Sequence, residues 1–426
     1  MKSIGKYITV KELGAGATSK VFLATDPFSN KKVAIKLFEQ DSLRNSSAKK
    51  TLHKLFLTES SLAGKLRHPH IVKIFDAVLS DDLNYLVMEY VDGGSLEKYT
   101  EPGQLLPFAI VAEIIYKCCK ALEYAHAQGV IHRDIKPANI LLHGESDIKI
   151  SDFGAAIIEN YEATHVSGVG SPAYMSPEQI SDLPLTHQSD IYSLGVTMYK
   201  LLSGRLPFEA SSRQGLLYQI VHGDPPPPKT FRLDIPDELD AIVQRAMLKD
   251  LSLRYRDWDE FAQDLSSFFA CSSLFQEQDE IYDTEKFDIL RSLEFFERFK
   301  VVELWEVLYF STWRKVKGGT VILREGDTGN TLFILAEGMV KILKNGSVVG
   351  QLQKGECFGE IKRFPGITSV RSTTVETGTD VTVIEISLDV LARASVECRF
   401  QFDDSFLYIL LKRLDAANTR ISKLLA

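Results

Sequence analysis

Short β-prone runs fill the sequence to about residue 95, helical patterns replace them from Pro107, and β-prone runs return between about Thr320 and Ile386. Few folds accommodate that order. The first set comprises Tyr7 to Val10, Val21 to Ala24, Val33 to Leu37 and Leu83 to Tyr90, interrupted by one helical pattern around Lys50 to Leu66. The helical set comprises Ala109 to Gln128, Ser189 to Ser203, Arg213 to His222, Pro236 to Lys249 and Trp258 to Phe269. A β-rich part followed by a helix-rich part within about 270 residues predicts an α+β unit. The run Gln276-Glu277-Gln278-Asp279-Glu280, acidic and poor in apolar anchors, predicts a linker over about 271–285. Regularly spaced short strands with Gly turns then predict a small barrel or sandwich. The spacing of Leu407, Leu410, Leu414, Ala417, Ile421 and Leu424 predicts a C-terminal helix. A length of 426 residues suits two or three domains.

Composition excludes several functions. Lys plus Arg number 49 against 57 Asp plus Glu, a net charge of −8, which argues against a nucleic-acid partner held by phosphate contacts. No run approaches the ~18 apolar residues of a membrane span. The start, Met1 to Lys6, lacks the apolar core of a secretory signal. Five Cys without CxxC spacing indicate neither a disulfide framework nor a zinc site, and Cys118 and Cys119 fall in an apolar helical pattern where they pack as small hydrophobes. The expectation is a cytoplasmic protein. Pro225 to Pro228, the one low-complexity run, reads as a stiff connector inside a domain rather than a polyproline ligand.

Gly14-Ala15-Gly16 lies between two strands, so it is neither a dinucleotide fingerprint, whose glycines open a helix, nor a P-loop. Such a turn can lay backbone N–H groups over phosphates, although most turns of this kind are plain hairpins. Val33-Ala34-Ile35-Lys36 puts an ammonium at the end of a buried strand, where it needs a counter-ion, and Glu59 is a plausible one. His132-Arg133-Asp134-Ile135-Lys136-Pro137-Ala138-Asn139 and Asp152-Phe153-Gly154 follow. In this order the motifs resemble the protein-kinase signature set in every part, over roughly residues 5–270. Ser176-Pro177-Glu178 stands in the family's APE position, Asp190 follows in the next helix, and Arg254 matches the Arg that pairs with the APE Glu.

The resemblance implies roles. Gly14, Gly16, Val21, Ala34 and Lys36 would bind ATP, with Lys36 fixed by Glu59 on the phosphates. Asp152 and Asn139 would ligate Mg²⁺ or Mn²⁺, and Asp134 would accept the proton of the attacking hydroxyl. Lys136 is the family's choice for Ser/Thr substrates. His132 is a packing residue by the same analogy. Ser19 replaces the third glycine of the phosphate loop, the one departure from the pattern. Thr164 and Ser167 are phosphosite candidates facing Arg133, and Ser171 matches the residue that contacts the catalytic Asp and the substrate. The wording of 170–178 is similar to bacterial Ser/Thr kinases.

A second set, Gly318 to Asp327, Leu332 to Gly338, Val349 to Leu352 and Gly355 to Glu360, resembles cyclic-nucleotide-binding domains. Glycines ending the strands of a roll explain part of it equally well. The family's phosphate cassette implies Glu360 for the ribose 2′-OH, Arg371 for the cyclic phosphate and Ser372 beside it, with Gly359 part of the same pocket. Ile361-Lys362-Arg363-Phe364-Pro365-Gly366 departs from the usual small or apolar residues and is about two residues longer. Phe406 and Tyr408 are candidates to cover a base, with core or dimer packing the plainer role. Only the terminal helical stretch follows the roll, so no helix-turn-helix is expected.

The fold class expected is α+β: a two-lobed protein-kinase fold over 1–270, with lobes of about 1–90 and 91–270, then a β-roll over 286–426 with flanking helices. The function expected is an ATP-dependent Ser/Thr protein kinase controlled in cis by cAMP or cGMP. Two alternatives stay open: an active kinase whose roll is a docking or homodimerisation module, and a nucleotide-sensing pseudokinase scaffold.

Overall fold

The computed structural model describes residues 3–15, 19–38, 56–62, 64–79, 83–144, 146–158, 171–273, 281–359 and 370–425. The chain divides into two units, 1–275 and 276–426.

The first unit opens with six strands, β1 (Ser3–Ile4), β2 (Tyr7–Ala15), β3 (Ser19–Thr25), β4 (Lys32–Phe38), β5 (Ile74–Leu79) and β6 (Asn84–Glu89), paired antiparallel in the order β1-β2-β3-β4-β6-β5. Strand β4 is covered on both faces, which is why its sequence is a nearly unbroken apolar run. Period-two alternation sends Val33 and Ile35 to a cluster with Tyr7, Ala24 and Val87. It sends Ala34 and Phe38 to a second cluster with Phe56, Leu86 and Met88. Lys36 shares that second face, so its ammonium enters apolar surroundings.

Helices build the rest of the unit. The helix α1 (Phe108–Ala127) is buried almost all round from Val111 to Leu122 and takes Cys118 and Cys119 as free thiols into its packing. The helix α2 (His187–Ser203) starts on the Thr186 side chain, which accepts from Gln188 N, and stops at Gly204 with φ +75°. Short pairs β7 (Val130–Ile131) with β10 (Ile157–Ile158), and β8 (Ile140–His143) with β9 (Asp147–Ile150), brace the segments between these helices. The helices α3 (Asp237–Ala246) and α4 (Trp258–Ser273) complete it. The proline run is part of the packing: Pro226 O accepts from the Tyr199 hydroxyl at 2.9 Å and Pro228 is buried.

In the second unit, α5 (Asp283–Ser292) and α6 (Val301–Phe310) precede eight strands among the described residues. These are β11 (Ser311–Val316), β12 (Val321–Leu323), β13 (Thr331–Glu337), β14 (Met339–Lys344), β15 (Ser347–Gln353), β16 (Cys357–Phe358), β17 (Thr374–Thr377) and β18 (Val381–Ser387). They form two four-stranded sheets, β11-β18-β13-β16 and β12-β17-β14-β15. Phe333, Leu335, Phe358, Val381 and Val383 from one sheet meet Val340 and Val375 from the other, so the core lies between the layers of a roll. The helix α7 (Val396–Leu425) closes the unit. Its Phe402 packs against Phe295, Phe296 and Phe299, and Phe406 is buried as well, which gives Phe406 a core role; Tyr408 is exposed with Arg298 over its ring. No helix among the described residues is long and apolar enough to cross a membrane.

One buried ion pair holds the helical part together. Arg254 donates to Glu178 Oε1 at 2.8 Å, and its other nitrogens reach Leu248 O and Gln188 O, both at 2.8 Å. Arg254→Met would leave the Glu178 carboxylate buried and unpaired, which costs about 3–5 kcal/mol. Calorimetry of the full chain is expected to show the transition of the first unit lowered by roughly 10 °C.

Candidate functional site

The ammonium that β4 buries finds two carboxylates. Lys36 Nζ lies 2.8 Å from Glu59 Oε2 on the helical segment 56–61 and also donates to Asp152 Oδ1. Burial works to lower the Lys36 pKa, but Asp152 and Glu59 outweigh it and hold the group charged. Burial likewise lifts Asp152, and the Lys36 charge and hydrogen bond bring its pKa below the ordinary value. Two residues 116 positions apart are thereby fixed as an ion pair.

A second anchor shapes the loop that carries Asp134. Asp190, wholly buried on α2, accepts from His132 N and Arg133 N, both at 2.8 Å, and from His126 Nε2 at 2.9 Å. Arg133 there takes φ +69°, a conformation rare outside glycine that these bonds enforce. His132 is buried, with Nε2 3.0 Å from Ser151 O and its ring against Phe153. The loop then presents Asp134. Lys136 Nζ donates to Asp134 Oδ2 at 2.8 Å and to Ser171 Oγ at 2.9 Å. Asn139 Nδ2 donates to Asp134 O and Oδ2 at 2.8 and 3.0 Å; of its two amide atoms, only the oxygen has the chemistry to ligate a cation. Ser171 N donates to Asp134 Oδ1 at 3.1 Å.

These groups share one cleft of about 470 Å³, lined by Gly14, Val21, Lys36, Glu59, Asp134, Lys136, Asn139 and Asp152 together with Ser19 and Phe38. Ala34 does not line it and sits in the adjoining core cluster, against which Val21 packs. Gly16, Thr164 and Ser167 lie outside the described residues. Oxygen ligands, a fixed ammonium and a carboxylate held by a lysine suit the handling of phosphate charge. Among the described residues no group of three or more His, Cys, Asp or Glu is placed to hold a metal by itself.

In the second unit Arg371 is buried. Its Nη1 donates to Gly359 O and its Nη2 to Thr331 O at 3.0 Å, while Arg371 N donates to Asp327 O at 2.7 Å. Gly359 has φ +85°, so its carbonyl turns back onto the guanidinium. Gly329 packs so close that a Cβ there would stand 2.3 Å from Arg371 Nη2. Ser372 is exposed, and its carbonyl accepts from Lys344 Nζ at 2.7 Å. Glu360, Lys362 and Arg363 lie outside the described residues.

Residues 7–265 match the protein kinase domain family. The chain belongs to that family. Residues 313–396 match the cyclic nucleotide-binding domain, so this kinase-family chain carries a C-terminal domain of that kind. It is 33% identical over 285 residues to the serine/threonine-protein kinase PrkC of Bacillus subtilis, covering 66% of this chain and 43% of the relative. It is 36% identical over 260 residues to the serine/threonine-protein kinase PknB of Mycobacterium leprae (59% and 41%). With PknB of Mycolicibacterium smegmatis the identity is 37% over 269 residues (61% and 42%). The chain spans about two fifths of the length of these curated relatives.

Sequence reasoning missed Phe38, which the alternation along β4 places on the face of Lys36, and the clamp of Gly329 and Thr331 on Arg371, a contact across 40 positions that no local pattern encodes. It noted Asp190 without its bonds. Burial lifts the Asp190 pKa, and His126 together with the loop N–H groups outweighs that, leaving it below 3.8. The stability it contributes is therefore present above about pH 3.8 and lost as pH falls through the lower native value. Asp190→Asn is expected to cost about 3 kcal/mol near pH 7. Denaturant titrations should show the wild type and the variant converging at acid pH.

Proposed function

We propose that this protein is an ATP-dependent Ser/Thr protein kinase whose C-terminal domain binds a cyclic nucleotide, cAMP or cGMP, and thereby controls the kinase domain in cis. The observation that carries the reading is the bond set of Asp134 to Lys136, Asn139 and Ser171 at 2.8–3.1 Å, opening on the same cleft as Lys36 and Asp152.

Lys36, held by Glu59, would take the ATP phosphates, and Asp152 Oδ atoms with the Asn139 amide oxygen would hold Mg²⁺ or Mn²⁺. When bound, that metal would supply positive charge against the charge that builds up on the phosphates. Asp134 accepts the proton of a Ser or Thr hydroxyl from a protein substrate as that oxygen attacks. Lys136, already bonded to Asp134 and Ser171, stabilises the transferring phosphoryl group and steadies the segment against which substrate lies. Thr164 and Ser167 are the proposed sites of autophosphorylation. In the second unit the buried Arg371 balances the single charge of a cyclic phosphodiester, with Gly359, Glu360 and Ser372 around it. Ligand there acts on the kinase domain through 271–299, a segment spanning the acidic stretch and the helix α5. A cytoplasmic location goes with this reading.

Two substitutions separate the halves of the proposal. Asp134→Asn is expected to lower phosphate transfer from Mg–ATP to a generic Ser/Thr protein substrate by about 10²–10⁴-fold; transfer at the wild-type rate would refute the catalytic assignment. Arg371→Ala is expected to weaken cAMP or cGMP binding by about 30-fold or more in calorimetry. Equal affinity in the two proteins, or none in either, would remove the cyclic nucleotide and leave the kinase reading standing.

A further inference from the structure

The first turn of α4 binds α1 twice. Trp258 Nε1 donates to His126 Nδ1 at 2.6 Å, and Asp259 Oδ1 accepts from the buried Lys120 at 2.6 Å. Trp258 is itself buried, with its ring tilted against the imidazole at a centroid distance of 5.4 Å. His187, at the start of α2, completes the group: its Nε2 is 2.7 Å from Arg256 O, and its ring centroid is 6.0 Å from that of His126. Trp258 belongs to none of the motifs that carry the kinase resemblance.

The donor inventory locates a proton. An indole N–H donates and does not accept, so His126 Nδ1 is the acceptor and carries no hydrogen. The imidazole is then the neutral Nε2–H form, and Nε2 is the nitrogen that stands 2.9 Å from Asp190 Oδ2. That same oxygen accepts from His132 N at 2.8 Å, while Asp190 Oδ1 accepts from Arg133 N at 2.8 Å. Trp258 therefore donates to His126, His126 donates to Asp190, and Asp190 holds the backbone that leads directly into Asp134. Without the indole donor the other tautomer becomes available. Its bare Nε2 would set a lone pair against a carboxylate oxygen, so the carboxylate must shift, and the loop N–H groups that it accepts from shift with it.

We infer that Trp258 is a positioning residue of the phosphate-transfer site: by holding His126 in its Nε2–H form it fixes Asp190, and through Asp190 the loop that presents Asp134. The role rests on the kinase reading of that loop. It ties the loop to α4, the last helix of the first unit among the described residues, as well as to α2.

Trp258→Phe keeps an aromatic ring in the buried site and removes the donor. Phosphate transfer by the full chain to a generic Ser/Thr protein substrate is expected to show kcat lowered about 10-fold, with KM for Mg–ATP within about twofold of the wild type. Thermal melting by circular dichroism checks that the variant folds. His126→Gln should lower kcat to a similar degree, and the double variant no further than either single one, because both cut the same series of bonds. Imidazole nitrogen NMR of the wild-type chain, assigned by the resonance lost in His126→Gln, needs no folded Trp258 variant and is expected to show His126 as the neutral Nε2–H form near neutral pH. An Nδ1–H form or an imidazolium there, a Trp258→Phe protein with wild-type kcat, or losses that add in the double variant would overturn the assignment. A wild-type chain that transfers no phosphate would overturn the kinase reading and this role with it, a result distinct from activity that is indifferent to Trp258.

Discussion

A lysine on a strand covered on both faces must find carboxylates, because an ammonium left alone in that interior would not stay charged. In this chain Lys36 finds two, Glu59 from the helical segment 56–61, whose Phe56 packs with Ala34 and Phe38 of β4, and Asp152 from the loop after β9. The apolar alternation of β4 places Lys36, the two clusters of the sheet fix β4, and the ion pair then draws the Asp152 loop to the strand. Everything on the far side of the cleft is arranged relative to that loop. His132 stacks on Phe153, the neighbour of Asp152, and Asp190 holds His132 and Arg133 by their backbone N–H groups. Asp134 follows directly in the chain.

Positive-φ backbone appears at both decisive turns, Arg133 at +69° and Asp152 at +62°. Such conformations persist only where surrounding bonds over-determine them. Here those bonds are the two N–H donations to Asp190 and the pairing of Asp152 with Lys36. The second unit uses the same economy on an opposite charge. Arg371 is buried, and carbonyl oxygens of Gly359 and Thr331 satisfy it within the roll. Gly359 and Gly329 are glycines because the guanidinium occupies the space their side chains would need.

Much of this was legible in the sequence. The order and spacing of Lys36, Asp134, Asn139, Asp152 and Ser171 carried the resemblance to protein kinases, and the Gly-punctuated strands carried the resemblance of the C-terminal part to a nucleotide-binding roll. What escaped was of two physical kinds. Strand β5 has an edge position and a polar Asp76 in mid-run, so its alternation is weak; α5 buries only Thr284, Phe287 and Leu290, too few for a clear helical stripe. The other kind is contact at long range: the Asp190 anchor and the Gly329 clamp join segments that no local pattern relates. The C-terminal helix was visible from its spacing, but only burial separated its inner aromatic face from its exposed side.

The proposed function joins two chemistries in one chain, a cleft for phosphate transfer and a buried arginine for a cyclic phosphate, with the second proposed to control the first. Phosphate transfer by the full chain at saturating Mg–ATP, measured with and without cAMP or cGMP, tests both together. The rate is expected to change by about 5-fold or more when one of these nucleotides is added, in line with ordinary coupling energies. A nucleotide that binds while the rate stays the same, or a chain that transfers no phosphate in either condition, would contradict it.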